Sequence, residues 1–406
     1  MVKPLKGNII YKAMKTIENN RVGNRVITRV GGGKQHGLDE LQSRVVDWLR
    51  FPLIVLVAYI HYYGPEIQPK DDIGTDIYKY LMILMSHVIA RSAVPTFFLI
   101  SGFYFFSKCD FNIGIYKKKV LSRLRTIVLP YILWITTFIL LTVGIKLAGC
   151  LIKGNSFDGI LMFFNDNGWL NMYWNCNEWA GRYDWAGYLH YNTSPILTHL
   201  WYLRDLGIMF IISPILYMCI RKFGMWFISI LFFCDTSGFM PQIPGGSCGI
   251  LYFSIGAYLA INNKNIVEVT QKYKNTAYIS TIALLPLMTF YDGRYTDVGN
   301  ILYPFWVFVL MVSYINIAAT IVSRGWLRQP ASMPKSSFFI YCLHAMFVMG
   351  YCGRFMMKVI PSDNWFLASV RYMLVPLLCV AICYAIYIIM NRYTPKLLAV
   401  LTGNRN

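Results

Sequence analysis

Charged residues are scarce in this chain of 406 residues. They make up 14% of the sequence, whereas a soluble globular protein carries about 25%. Disordered chains are also rich in charge and poor in apolar residues, yet 56% of this chain is hydrophobic. Both classes are therefore excluded. Long apolar runs recur from about residue 48 onward, and many match the thickness of a bilayer. The composition therefore indicates a polytopic membrane protein.

Metal and disulfide signatures are lacking as well. The ten cysteines form no CxxC pair and no spacing typical of zinc. Most lie within apolar segments, where cysteine behaves as a small hydrophobic residue. We expect neither a metal site nor a disulfide framework. Residues 1–44 have no apolar core of a secretory signal, and we expect no signal peptide.

The apolar segments predict an all-α integral membrane protein with about ten transmembrane helices, each needing about 20 residues to cross. We expect a flexible basic tail over 1–44, a membrane domain over 45–395 and a short C-terminal tail over 396–406. The fifth and sixth spans are short and broken by Pro and Gly, so either a re-entrant pair or two crossings fits. The spans are 48–63, 82–106, 127–148, 200–220, 225–242, 247–262, 277–291, 300–322, 337–357 and 366–391.

The distribution of Lys and Arg predicts the orientation. Of the 38 such residues, 26 fall in the two tails and in alternate loops on one side of the predicted spans. Cytoplasmic segments carry this excess, so both termini are expected in the cytoplasm. The same bias accounts for the net charge of +19. We therefore expect anionic membrane lipids, and no nucleic acid, as partners.

The predicted external loop, 149–199, is dense in aromatic residues interleaved with Asn and acidic side chains. Trp174 and Trp185 belong to this set. Flat aromatic faces beside hydrogen-bonding groups suit the apolar faces and polar edges of sugar rings. An aromatic belt at the membrane interface fits the same composition. Both interpretations stay open at this point.

Ionisable residues inside the first span need a reason, because charge at membrane depth is unfavourable. Arg50 and His61 are eleven positions apart, which on a helix places them on one face and about 16 Å apart. Arginine stays charged and suits phosphate, whereas histidine can accept a proton from a hydroxyl. An interfacial role for His61 is the alternative.

Other spans carry more cations than acids. Arg91 is expected at about the depth of His61, and Asp205 is the one acid placed inside a span, beside Arg204. Unpaired intramembrane cations predict an anionic ligand or a water-filled cavity.

Two further segments carry candidate substrate-binding residues. The fourth span opens with His199 and Trp201, and the ninth carries Tyr341 and His344. From the rise per residue of an α-helix, we expect His344 near the cytoplasmic side and His199 nearer the outer surface, both away from His61. A structural bond between helices is an alternative role for His344. We predict that a substrate contacts Trp201, Arg204, Asp205, Tyr341, His344, Trp174 and Trp185.

The predicted cytoplasmic loop 107–126 is strongly basic and includes Lys119, Arg123 and Arg125. One interpretation is anchoring to anionic lipid. The other is a phosphate-binding rim at the mouth of a cavity that also contains Arg50.

Taken in order, these motifs resemble the membrane acyltransferase 3 family over roughly 45–395. The matching segments are Arg50 with His61, Arg91 to Gly102, Arg123-Leu-Arg125 before Pro130-Tyr131, His199 to Asp205, and Tyr341 to His344. The spacing of Arg123 and Arg125 departs from that of many members. No counterpart of the basic tail is known to us.

The resemblance implies a ten-helix membrane enzyme that transfers an acyl group, often acetyl, from coenzyme A to hydroxyls of cell-envelope polysaccharides. It implies that His61 is catalytic and that Arg50, Arg91, Arg123 and Arg125 are the essential basic residues. We add Lys119 to the residues expected to hold acyl-coenzyme A, and Arg91 to the catalytic ones. A bacterial cytoplasmic-membrane location follows. A polysaccharide or lipid-linked-sugar exporter is the alternative, and the acceptor, acyl chain and oligomeric state are left open.

Overall fold

A computed structural model describes residues 32–65, 73–107, 111–154, 156–176, 194–237, 248–293, 295–361 and 364–404. Throughout these ranges the regular structure is helical, without a strand. The helices, in chain order, are α1 Gly32–Ile60, α2 Ile73–Phe106, α3 Ile113–Lys153, α4 Asp158–Asn167, α5 Asn171–Trp174, α6 Thr198–Phe223, α7 Met225–Thr236, α8 Cys248–Ile261, α9 Ile266–Lys272, α10 Lys274–Phe290, α11 Asp297–Arg324, α12 Ser332–Val359, α13 Trp365–Tyr393 and α14 Pro395–Thr402.

The all-helical membrane class is confirmed. Six helices, α2, α3, α6, α11, α12 and α13, are long and apolar enough to cross a membrane, and α7 and α8 are shorter apolar helices. The ten predicted spans overlap α1, α2, α3, α6, α7, α8, α10, α11, α12 and α13. The number of ten crossings and the cytoplasmic location of the termini stay predictions.

The first helix begins before the predicted start of the membrane domain. Residues 32–44, which the sequence places in the tail, belong to α1, and the division into domains stays a prediction. Tertiary contacts hold this extension: the Gln42 side chain accepts a hydrogen bond from the Ile266 backbone N–H at 2.5 Å, and Val45 is fully buried. The rest of the predicted tail, residues 1–31, lies outside the described residues.

α1 occupies the centre of the bundle. It packs against α2, α11, α12 and α13, and its apolar residues from Leu53 to Ala58 include several that are almost completely buried. The helix continues through Pro52. This central position brings Arg50, inside α1, and His61, just past its last turn, next to residues of other helices.

α2 and α8 cross at very short range. A Cβ atom on Gly102 would lie 2.1 Å from the Phe253 carbonyl oxygen, and one on Gly256 would lie 2.0 Å from that of Leu99. Only glycine leaves room for backbones this close. The crossing fixes the part of α2 that carries Ser101 and Tyr104.

Three of the long helices change their winding near candidate site residues. α2 contains a π-helical stretch over Ile83–Ile89 and a 3₁₀ turn over Ala90–Ser92, α3 a π stretch over Leu124–Val128 and α12 one over His344–Val348. Such stretches alter the rotation between turns and are frequent at functional sites. Arg91, Arg125 and His344 lie within these stretches.

Candidate active site

A cavity of about 580 Å³ lies between α1, α2, α3, α6 and α12. Three basic side chains line it: Arg50 from α1, Arg123 from α3 and Lys335 from the first turn of α12. Within the described part of the chain, no acidic residue joins its wall. The cavity is therefore electropositive, as a site for a phosphate-bearing molecule requires.

Each basic group has a different environment. Arg50 forms a salt bridge with Asp47 at 3.0 Å, with both side chains about half exposed. The Arg123 guanidinium lies 5.5 Å from the centre of the Phe210 ring and is half-buried. Lys335 is exposed. All three remain able to bind an anion, because arginine and lysine carry several donors each.

The two other basic residues expected at this site lie elsewhere. The Lys119 ammonium group donates to the Phe105 carbonyl and lies 5.5 Å from the centre of that residue's ring. Arg125 is exposed and does not line the cavity. Lys335, which lines the cavity, was not among the residues predicted for the site.

Three histidines from different helices meet beside the cavity. We call His61, His199 and His344 the histidine cluster. Their ring centres are separated by 5.3 Å for His61 and His344, 5.9 Å for His61 and His199, and 5.1 Å for His199 and His344. His199 and His344 are buried and His61 is half-buried. The expectation that His199 and His344 lie at other depths than His61 is wrong, since the three rings adjoin one another.

Hydrogen bonds to backbone carbonyls hold two of the rings. His199 Nε2 lies 3.1 Å from the Cys342 carbonyl oxygen, and His344 Nδ1 lies 2.8 Å from that of Tyr341. A carbonyl only accepts, so each of these nitrogens carries the hydrogen. The opposite nitrogen of each neutral ring is then a proton acceptor. Among the described residues, no group of three His, Cys, Asp or Glu is arranged to hold a metal ion.

Tyr341 stands between the cavity and the histidine cluster. It lines the cavity, its hydroxyl donates to the His199 carbonyl, and its ring centre lies 5.7 Å from that of His199. Tyr202 also lines the cavity, and its hydroxyl is 3.3 Å from Ser101 Oγ. An anionic molecule in the cavity would therefore end one side chain away from three imidazoles.

Arg91 lies on the other side of His61. Its guanidinium donates to the Tyr295 hydroxyl, and its charge interacts with the His61 ring. The Arg91 Nε is buried without a hydrogen-bond partner among the described residues. His87 shares the face of α2 predicted for it and Arg91: it pairs with Asp292 and stacks near Tyr295. Both residues thus contact the segment between α10 and α11.

The other described residues predicted to contact a substrate do not line the cavity. Arg204 and Asp205 are buried and paired at 2.9 Å, and Arg204 also donates to the Trp174 carbonyl at 2.5 Å. This pair joins α5 to α6. Trp174 is about half exposed, Trp201 packs near Phe98, and neither lines the cavity. Trp185 lies outside the described residues.

Comparison with known proteins decides the family. A family model described as an acyltransferase domain matches residues 44–391. The chain belongs to this acyltransferase family. As a member of it the protein is an acyltransferase, which confirms the resemblance seen in the motifs and replaces the exporter alternative.

One curated relative of this acyltransferase is the succinoglycan biosynthesis protein ExoH of Rhizobium meliloti (strain 1021). The two are 22% identical over 391 residues, which cover 91% of this chain and 94% of that protein. No solved structure matches the chain.

Proposed function

We propose that the protein is an integral O-acyltransferase of a bacterial cytoplasmic membrane that transfers an acyl group, acetyl in the simplest case, from cytoplasmic acyl-coenzyme A to a hydroxyl of a cell-envelope glycan. The observation that carries this proposal is the electropositive cavity that ends at Tyr341, directly beside the histidine cluster. The name of the Rhizobium meliloti relative, which assigns that protein to succinoglycan biosynthesis, supports a glycan acceptor.

The donor would bind from the cavity side. Coenzyme A carries several negative charges, and Arg50, Arg123 and Lys335 supply three positive ones within one cavity. With its phosphates there, the thioester would extend toward Tyr341. Lys119 and Arg125, predicted as donor ligands, are left out of this proposed site because they do not line the cavity.

His61 would act as the base at the other end. It is half-buried and follows the last turn of α1, so an acceptor hydroxyl can reach it more easily than the two buried histidines. As the base takes the hydroxyl proton, the oxygen attacks the thioester carbonyl carbon. The carbon–sulfur bond then breaks, and the departing thiolate receives the proton. Arg91, whose charge acts on His61, would stabilise the negative charge that develops on the carbonyl oxygen.

The test is transfer by the purified full-length protein in lipid nanodiscs. With isotope-labelled acetyl-coenzyme A and a glycolipid extract from the host envelope, we expect a glycan fraction heavier by one labelled acetyl group. A protein that binds the glycolipids and moves them across the membrane, but transfers no label from acetyl-coenzyme A, would refute the donor assignment.

The membrane orientation has its own test. Reporters fused within 110–120 and at the C-terminus should face the cytoplasm, and one within 165–175 should face outside. A cytoplasmic signal from 165–175 would refute the predicted orientation and with it the cytoplasmic side of the donor.

A further inference from the structure

His344 is held in one tautomer by its own helix. Its Nδ1 lies 2.8 Å from the Tyr341 carbonyl oxygen and 3.1 Å from that of Ile340. Both oxygens only accept, so the hydrogen is on Nδ1 and Nε2 carries the lone pair. A π-helical stretch starts at His344, and its ring lies close to those of His61 and His199.

The Nε2 atom of His344 is buried and has no hydrogen-bond partner among the described residues. The whole side chain is buried, with a relative exposure of 0%. A buried acceptor without a hydrogen is unfavourable, and most such atoms in proteins are satisfied. A donor for this nitrogen is therefore needed from within the cluster or from a bound molecule.

His199 cannot be that donor. Its Nε2–H is already directed to the Cys342 carbonyl oxygen at 3.1 Å, so its Nδ1 is an acceptor as well. Two acceptors do not form a hydrogen bond, although the two ring centres are 5.1 Å apart. The backbone thus fixes both rings to present acceptors.

His61 has the required hydrogen. No described residue forms a hydrogen bond with its ring, and its centre lies 5.3 Å from that of His344. Ring nitrogens lie about 1.2 Å from the ring centre and a hydrogen bond spans about 3 Å, so hydrogen-bonded imidazoles have centres up to about 5.4 Å apart. The observed separation lies within this limit.

We propose that His344 is a positioning residue whose Nε2 accepts the N–H of His61. This bond would fix the other nitrogen of His61 as the acceptor that faces the hydroxyl, and it would stabilise the imidazolium formed when the proton is taken. The proposal rests on the proposed acyltransferase function. The proton stays on His61 until the thiolate leaves, and His344 neither gains nor loses one.

The test compares two substitutions of His344 that separate its two nitrogens. In His344→Asn, the amide nitrogen occupies nearly the position of Nδ1 and keeps a donor for the backbone carbonyls, but the acceptor is lost. In His344→Gln, the amide oxygen occupies nearly the position of Nε2 and keeps an acceptor for His61, but the backbone bonds are lost.

We expect His344→Asn to lower kcat for glycan acetylation about 100-fold or more and His344→Gln to lower it about tenfold. A purely structural role predicts the opposite order. A kcat of His344→Asn equal to or above that of His344→Gln would therefore overturn the proposal. If the Asn variant does not fold, a loss of more than 100-fold in folded His344→Gln would also overturn it.

Hydroxylamine as the acceptor adds a readout that a structural defect would not change. Its neutral nitrogen attacks thioesters without prior loss of a proton, so His344→Asn should lose less than about tenfold with it. Equal losses with both acceptors would contradict a role in positioning the base. Wild-type protein that transfers acetyl to neither acceptor would instead refute the proposed function, so the two failures are distinguishable.

Discussion

The electropositive cavity and the histidine cluster hold their polar groups in different ways. In the cavity, Arg50 is half exposed and Lys335 exposed, so their charges act through space and are partly screened. In the cluster, backbone carbonyls fix the orientation of His199 and His344. The cavity can therefore tolerate the loss of one charge, whereas the cluster depends on which nitrogen carries each hydrogen.

This difference separates binding from chemistry. Groups that hold a donor through summed charge should change its affinity when they are removed, with the rate at saturation largely kept. A base and the residue that orients it should change the rate, with the affinity kept. Tyr341 lines the cavity and also contacts the histidine cluster. Its substitution should therefore change both the affinity and the rate.

The largest expected effect comes from His61→Ala. Because a positioned base contributes about 10²–10⁴-fold, we expect transfer to fall by about that factor, while acyl-coenzyme A binds as it does to wild type. Label transfer and equilibrium binding on the same nanodisc sample measure both. Near-normal turnover by the folded variant would move the base to another residue of the cluster.

Substitutions of the cavity arginines should change the affinity for acetyl-coenzyme A. A hydrogen bond to a charged group contributes about 1.5–3 kcal/mol when buried, and solvent reduces this at exposed positions. We expect Arg50→Ala and Arg123→Ala each to raise the Kd for acetyl-coenzyme A about tenfold, and the double variant about 100-fold. Titrations at two salt concentrations should show weaker salt dependence in the variants. Unchanged affinity in all of them would leave the lipid-anchor interpretation for Arg123.

Tyr341→Phe should have a smaller effect on both quantities. It removes the hydroxyl that donates to the His199 carbonyl but keeps the ring between the cavity and the cluster. The net contribution of one hydrogen bond is about 0.5–1.5 kcal/mol, which corresponds to a loss of about 2- to 10-fold in kcat/KM. Steady-state rates over a range of donor concentrations measure it. A loss as large as that of His61→Ala would show that the hydroxyl itself takes part in the chemistry.

The smallest effect is expected for Lys119→Ala and Arg125→Ala, which serve as matched controls for the loss of a positive charge on α3. Lys119 is engaged with Phe105 and Arg125 is exposed outside the cavity. Donor affinity should therefore change by less than about threefold, measured in the same titrations. A tenfold loss in either variant would restore the sequence-based donor assignment.

Sequence patterns were sufficient for the fold class because hydrophobic length and charge bias are local properties. They also predicted two of the three basic residues in the cavity, Arg50 and Arg123. Residues 32–44 were assigned to a tail because the contact between Gln42 and Ile266 joins distant segments. No local pattern reveals such a contact.

The histidine cluster was beyond that reasoning for a related cause. Depths were counted from the ends of the predicted spans, but α12 begins at Ser332 rather than at residue 337, so His344 lies deeper than expected. Where a helix begins depends on tertiary packing.

The most direct test of the whole account is the dependence of initial acetyl transfer on acetyl-coenzyme A concentration, measured in parallel for His61→Ala and the Arg50→Ala, Arg123→Ala double variant. We predict that a saturating donor restores most of the wild-type rate to the double arginine variant and none of it to His61→Ala. Recovery of the rate in His61→Ala at high donor concentration, or a double arginine variant with unchanged KM and a collapsed kcat, would contradict the separation of donor cavity and base.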